Sequence, residues 1–382
     1  MIITLLPISK PLLIVSLSNR AGGAEQCLQM IANAASAKQL FLLKDNVNIL
    51  SKAVHSDSDF VSSKSLVFGY IFLICKLIKY RKGYVILSSA VYLNAYLGFL
   101  KRIGFLRSEV VVRESTTVFS RFKGLKKLSY VLAYKLGYPA IKLIICQTEL
   151  MRAQFIKYNS FIPAGKVITL ANPVNINAII DDSTKGGMPF AFEFVCAAGR
   201  LIPIKGFSIL INAFKPIVEK RKDLKLVILG EGPERDNLQK QIHQLGLEGS
   251  VILMGHVANP YVYFKYAKVC VTSSIEEGFP NTLLQMMALN TSVVSTLCAG
   301  GIAEIPSILK VETGNIYALQ RAINTCLEIQ KPQDRRVLDG YLAGRDPQNF
   351  VNQLMKQVGN LKNDLSKPSI FHQKNTLDKV LK

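Results

Sequence analysis

The strongest constraint on this chain is an alternation, run through twice, of short apolar segments with longer segments of helical period. LLIVSL (12–17) precedes a helix expected from about Gly23 to Ala37, and QLFLL (39–43) follows it. A helical stretch near 60–79 leads into YVILS (84–88), a helix near 91–103 and EVVVR (109–113). A basic helical segment (123–137), KLIICQ (142–147), a helix near 148–158 and KVITL (166–170) complete the first series. Strands joined through helices run parallel and are covered on both faces, so the expected fold is an α/β doubly wound sheet. Residues 172–189 hold polar residues, two glycines and two prolines without a clear period, and read as a domain linker. The alternation then restarts with FEFVCAAG (192–199), a helix over 206–221, LKLVILG (224–230) and a helix over 233–245. SVILMG (250–255), KVCVTSS (268–274), a helix over 280–289 and TSVVST (291–296) follow. The expected division is 1–175 and 176–345, with a C-terminal helix and loose tail over 346–382 that can cross back to the first domain. Open parallel sheets bind ligands beyond the carboxyl ends of their strands, so a cleft between two such sheets is the expected site.

Composition narrows the class. The 382 residues, 49% hydrophobic and 19% charged, suit about two globular domains and exclude a disordered or collagen-like chain. Seven cysteines (Cys27, Cys75, Cys146, Cys196, Cys270, Cys298 and Cys326) are never spaced C-x-x-C and mostly lie in apolar runs. That argues against a disulfide framework or zinc site and for a reducing compartment. The most apolar run, Leu66–Cys75, is followed by Lys76, Lys79, Arg81 and Lys82 and falls short of the roughly 20 residues a spanning helix needs. The first apolar run is broken by Pro7, Lys10 and Pro11, so no secretory signal is expected there. The expected location is cytoplasmic, peripheral on the inner face of the cell membrane.

Four strand-end junctions carry the chemistry. Ser273-Ser274-Ile275-Glu276-Glu277-Gly278-Phe279-Pro280-Asn281-Thr282 follows a strand and opens a helix whose unpaired amides suit phosphate oxygens. Glu277 before the turn and Gln285 eight positions later could hold hydroxyls of an elongated ligand. The plainer alternative has Glu277 capping the helix and Pro280 in its first turn. In Gly199-Arg200-Leu201-Ile202-Pro203-Ile204-Lys205-Gly206, two cations precede a helix start, where they oppose the dipole unless an anion lies between. Arg200 and Lys205 therefore read as a diphosphate clamp, or else as isolated surface charges. Asn19-Arg20-Ala21-Gly22-Gly23-Ala24-Glu25 brings a glycine pair to the first strand-to-helix loop; it is not G-x-G-x-x-G, so nicotinamide binding is poorly supported. Gly300-Gly301-Ile302-Ala303-Glu304-Ile305 is a glycine turn with a carboxylate behind it.

Together these runs resemble the family 4 retaining glycosyltransferases, whose GT-B fold is two Rossmann-like domains facing across a cleft. The resemblance covers most of the chain and is strongest from Val195 to Ile305. In the first domain GGAE (22–25) and Arg113-Glu114-Ser115 fit, and Asn172-Pro173-Val174 matches the crossing between domains. The resemblance implies transfer of a hexosyl or N-acetylhexosaminyl group from a nucleotide-sugar with retained configuration. Arg200 and Lys205 would neutralise the diphosphate and Glu277 would contact the donor sugar. Donor binding would involve Gly22, Gly23, Gly278, Phe279, Pro280, Asn281, Thr282, Gln285 and Glu304, with Arg113 and Glu114 on the acceptor side. Gln285 stands where the family has a second glutamate, so a neutral hydrogen bond replaces a charged one and weaker nucleotide binding is expected. Met286 and Asn290 replace small residues, and His256 is placed to border the base or to lie on the surface. No cofactor or metal is implied; Asp57-Ser58-Asp59 spells D-x-D, but in a polar loop without a preceding apolar strand. EGFPN (277–281) and REST (113–116) look like bacterial surface-polysaccharide enzymes of the lipopolysaccharide or capsule type, which use UDP-sugars.

Lys plus Arg exceed Asp plus Glu, 47 against 26, and the excess concentrates between Lys76 and Lys142. Aromatic and aliphatic residues interleave there (Phe119, Phe122, Leu125, Leu128, Tyr130 and Tyr134), as on a surface that meets an anionic leaflet. An anionic membrane and a lipid-diphosphate-linked or other saccharide acceptor are the expected partners. The same charge would suit nucleic acid, but no helix-turn-helix, RRM-type aromatic motif or zinc finger is visible. A GT-B nucleotide-sugar binder or epimerase without transferase activity is the alternative.

Overall fold

The structure, a computed structural model, describes residues 10–20, 22–44, 58–62, 65–116, 122–328 and 334–364. They divide into two compact units: one runs through Pro173 and resumes at Pro347, and the other is Val174–Asp346.

In the first unit β1 (Leu12–Ser18), β2 (Lys38–Leu43), β3 (Ser58–Ser62), β4 (Val85–Ser88), β5 (Glu109–Arg113), β6 (Leu143–Cys146) and β7 (Val167–Thr169) form one parallel sheet. Its order is β3-β2-β1-β4-β5-β6-β7, so the winding reverses between β1 and β4. Helices α1 (Gly23–Ala34), α2 (Leu66–Leu77), α3 (Val91–Arg102), α4 (Gly124–Gly137) and α5 (Glu149–Tyr158) are its crossovers. Successive strand residues face opposite sides: Leu13 and Val15 pack with α2 to α5, whereas Leu12 and Ile14 pack with α1. Both faces are covered, which is why the strands read as unbroken apolar runs.

The stretch expected to be helical from about residue 60 begins instead as the edge strand β3, paired to β2 from Gln39 opposite Ser58 to Leu43 opposite Ser62. Phe60 stacks on Phe41 with ring centroids 5.5 Å apart, and the helix starts only after Ser65, whose hydroxyl accepts the Phe68 N–H. Apolar side chains too few for a clear period-two signal are recruited there by the neighbouring strand. Of the D-x-D triplet, Asp57 lies outside the described residues, and Asp59 sits on β3 within 3.7 Å of Lys38 Nζ.

The second unit sets β8 (Phe194–Ala198), β9 (Lys225–Leu229), β10 (Val251–Gly255), β11 (Val269–Thr272), β12 (Val293–Thr296) and β13 (Leu309–Val311) in a parallel sheet ordered β10-β9-β8-β11-β12-β13. The order reverses between β8 and β11. One face is covered by α7 (Phe207–Lys220), α8 (Arg235–Gln244) and α11 (Ile316–Glu328). The other carries α6 (Ile176–Ser183), α9 (Tyr261–Tyr266), α10 (Asn281–Leu289) and α12 (Arg335–Ala343). The helix α6 corrects the reading of 172–189 as a linker: Asn175 caps it by accepting the Ala178 N–H at 3.0 Å, and Ile179 is buried among core residues of α9 and α10. With only Ile179 and the polar Ser183 buried in eight residues, too little apolar period is left to betray a helix that tertiary packing holds. The last helix, α13 (Pro347–Asp364), belongs to the first unit, where Phe350, Val351 and Leu354 join the core on the α1 face. Residues 365–382, expected as a loose tail, lie outside the described residues.

Candidate active site

The loops after β8 and β11 leave neighbouring strands at the reversal point of the second sheet, where an open α/β sheet has a natural crevice. The β8 loop carries Arg200 and ends in a 3-10 turn, Pro203–Lys205, before α7. Gly206 makes that turn possible: its φ is +66°, and a Cβ there would lie 2.1 Å from the Ser273 carbonyl oxygen. The glycine thus permits both the left-handed backbone and the contact with the other loop. Ser273 Oγ donates to the Lys205 carbonyl at 2.9 Å, and the Ile275 N–H donates to the Ile204 carbonyl at 2.8 Å.

On this frame Lys205 Nζ donates to Glu277 Oε1 at 2.8 Å, and Ser274 Oγ donates to the same oxygen at 2.5 Å. The two charged side chains are 18% and 15% exposed, shielded enough to strengthen their attraction yet open to a ligand. Glu277 Oε2 accepts no hydrogen bond among the described residues, which leaves it an acceptor for a hydroxyl. Glu277 therefore does not cap α10, the plainer of the two readings of its position. Its main-chain N–H donates to the Cys298 carbonyl at 2.7 Å, tying in the loop after β12. Burial, and behind it the Glu277 charge, push the Cys298 thiol up to about 12, so it stays protonated at neutral pH.

Arg200 stands exposed at the head of its loop; its carbonyl accepts the Ile202 N–H at 2.8 Å, while its guanidinium has no hydrogen bond or ion pair among the described residues. Gly278 is half-buried, while Phe279 and Pro280 are buried. The Phe279 side chain belongs to the core, and Pro280 has no N–H to offer. Asn281, Thr282 and Gln285 are half-buried on α10, whose N-cap, Pro280, supplies no side-chain acceptor to the first turn. The two residues that depart from the resemblance have structural work: Met286 is core, and Asn290 Nδ2 donates to the Phe264 and Ala267 carbonyls, fastening α10 to α9. Glu304 is exposed in a series of turns between β12 and β13. His256 is exposed after the edge strand β10.

In the first unit Gly22 has φ −86°, open to any residue, and a Cβ there would meet only the mobile end of Glu25, so its need for glycine is not steric. Gly23 is the first residue of α1, and Ala21 lies outside the described residues. Arg113 and Glu114, expected on an acceptor-facing surface, are instead 1% and 2% exposed. Arg113 donates to Ser89 Oγ and Asn172 Oδ1, and Glu114 accepts from Tyr134 at 2.9 Å and Tyr138 at 2.5 Å. They bind strand ends and α4 together from inside the core, out of reach of an acceptor.

Three contributors had no role in the sequence reading. Ser274 shares Glu277 with Lys205. Thr296 Oγ1 donates to the Ser274 carbonyl at 2.6 Å and holds the β11 loop from β12. Arg345 lays its guanidinium 5.1 Å from the Phe279 ring centroid and 4.7 Å from that of Tyr341, bracing the loop that carries Glu277. Ser274 lay within a quoted motif; Arg345, 66 residues beyond Phe279 (345 − 279), had no local signal.

The family model described as "Glycosyl transferases group 1" matches residues 182–340. An uncharacterized glycosyltransferase of Methanocaldococcus jannaschii is 33% identical over 190 residues, 48% of this chain and 46% of that protein. A Campylobacter jejuni N-acetylgalactosamine-N,N'-diacetylbacillosaminyl-diphospho-undecaprenol 4-alpha-N-acetylgalactosaminyltransferase is 28% identical over 327 residues, 81% of this chain and 88% of that protein. The chain thus spans about half the length of the first relative and most of the second. Among solved structures, Anabaena HepE in complex with UDP and glucose superposes with a TM-score of 0.75 at 20% identity, covering 92% of this chain and 100% of that one. The fold is the GT-B fold expected from the strand-end motifs.

Proposed function

We propose that this chain, a GT-B glycosyltransferase whose group 1 domain occupies residues 182–340, moves a sugar from a UDP-sugar to a lipid-diphosphate-linked saccharide with retention of configuration. The carrying observation is the Lys205–Glu277 pair, set at the reversal point of the second sheet beside an uncapped helix start. As the bond between the sugar and the diphosphate breaks, its electron pair leaves on a phosphate oxygen. Lys205 and the unpartnered Arg200 would neutralise that charge, helped by the amide end of α10. Glu277, anchored through one oxygen, offers the other to hydroxyls of the donor sugar. Two side-chain cations supply the neutralisation, so a metal is not required by this scheme. Gln285, half-buried on α10, would hydrogen-bond the nucleotide end.

A fold shared with a UDP-containing structure supports the uridine nucleotide. The Campylobacter relative's name, which specifies a diphospho-undecaprenol-linked acceptor and an N-acetylgalactosaminyl group, supports a lipid-linked acceptor and an N-acetylhexosamine donor. A panel of nucleotide sugars scored by thermal stabilisation, then by release of UDP onto a lipid-linked saccharide, tests the reading. Glu277→Ala is expected to reduce turnover by about 10²–10³-fold while the fold survives. Unchanged turnover overturns the site; stabilisation by nucleotide sugars without any transfer would mark the chain as a binder or epimerase instead.

A further inference from the structure

We propose that the outer faces of α2, α3 and α4 form one docking platform that seats the first unit in the interfacial layer of an anionic bilayer. The inference rests on the membrane-held acceptor proposed above, and it names the surface that would reach that membrane. Sixteen of the 21 exposed large apolar side chains of the described residues fall between Leu66 and Phe161. Scattered apolar residues need no explanation, but contiguous ones on a protein of this charge do.

Helix α2 is apolar on both sides. Leu73 and Leu77 face the sheet, and Gly69 presses so close that a Cβ would lie 2.8 Å from the Leu42 carbonyl oxygen. Outward it exposes Val67 (68%), Phe68, Ile71 and Phe72. Helix α4 adds a stripe of Leu125 (85%), Leu128, Leu132 and Leu136, a spacing that keeps them on its outer side. A surface helix between core and water carries the reverse pattern.

The helices abut. Tyr96 of α3 donates its hydroxyl to the Tyr70 carbonyl of α2 at 2.7 Å, and Tyr92 stacks on Tyr130 of α4 with centroids 4.8 Å apart. Gly98 and Gly137 let α3 and α4 meet backbone to backbone, since a Cβ on Gly98 would lie 2.4 Å from the Gly137 carbonyl oxygen.

Charge selects the occupant. None of the three helices contains Asp or Glu, while Lys76, Lys79, Arg102, Lys123, Lys126 and Lys135 are exposed on or beside them. Cations edging apolar stripes match anionic headgroups above acyl chains. A second copy of this chain would set the same positive array against itself. No helix among the described residues is long and apolar enough to cross a membrane, so these helices would lie in its plane.

Sedimentation of the full chain with vesicles tests this. Wild type is expected to pellet with phosphatidylglycerol–phosphatidylcholine vesicles and to stay in solution with phosphatidylcholine alone. The exposed double variants Phe68→Glu/Phe72→Glu and Leu128→Glu/Leu132→Glu should each lower the partition coefficient about tenfold or more, with circular dichroism unchanged. Failure of wild type to pellet, or unaltered partition of both variants, overturns the platform, as does a dimer in solution that these substitutions split. UDP release with a soluble saccharide acceptor should remain at wild-type rate in the same variants. Loss of transfer in every protein with lipid binding intact would sink the transferase reading alone.

Discussion

Two glutamates that follow parallel strands, Glu114 and Glu277, meet opposite fates. Glu277 keeps a free carboxylate oxygen beside Lys205, whereas Glu114 is enclosed by Tyr134, Tyr138 and Asn94. Burial raises the Glu114 carboxyl above its ordinary value; the tyrosine, asparagine and Arg113 contacts pull it down by less. A carboxyl whose folded value is raised binds its proton more tightly in the folded chain. Its contribution is therefore fully present below the unfolded value and is lost as pH rises through the folded one. Glu114→Gln keeps the shape without the ionisation, so melting temperatures measured from pH 4 to 9 should shift in favour of the variant as pH rises. A constant gap between the two proteins would contradict the burial account. Neither fate could be read from the local sequence, where Glu114 and Glu277 both stand in loops after apolar strands.

Elements meet through glycine at α3 and α4, and the substitution cost there should expose it. A Cβ at Gly137 would lie 2.1 Å from the Ala95 carbonyl oxygen, so Gly137→Ala must push two helices apart and is expected to cost about 1–3 kcal/mol in urea denaturation. Gly340, inside α12 with open space around its Cα, provides the contrast: Gly340→Ala should stabilise by about 0.5–1 kcal/mol. Elements with a strong period, such as α7 and α10, were legible because each buries a continuous stripe. The strand β3 and the helix α6 were not. Each holds its form through neighbours, β2 in one case and α9 with α10 in the other.

At the scale of the whole molecule, α13 returns from the second unit to complete the first. Phe350, Val351, Leu354 and Val358 are buried on the α1 face of the first sheet. At about 1.5–3 kcal/mol for each large side chain, their removal approaches the roughly 5–15 kcal/mol that holds a domain together. A chain ended at Asp346 should therefore lose hydrogen-exchange protection across β1 to β7 while β8 to β13 keep theirs. Equal protection in both units would show that the first unit closes without α13. The alternation of apolar runs with helical segments was enough to specify two parallel sheets and to put Arg200, Lys205 and Glu277 at strand ends, because period and turn chemistry are local. Strand order was not local. Only the pairing of β8 with β11 set Lys205 against Glu277 across 72 positions of chain, and only packing decided that Arg113 and Glu114 lie inside while the leucines of α4 face out. Burial and adjacency come from contacts between distant segments, which no window of neighbouring residues contains.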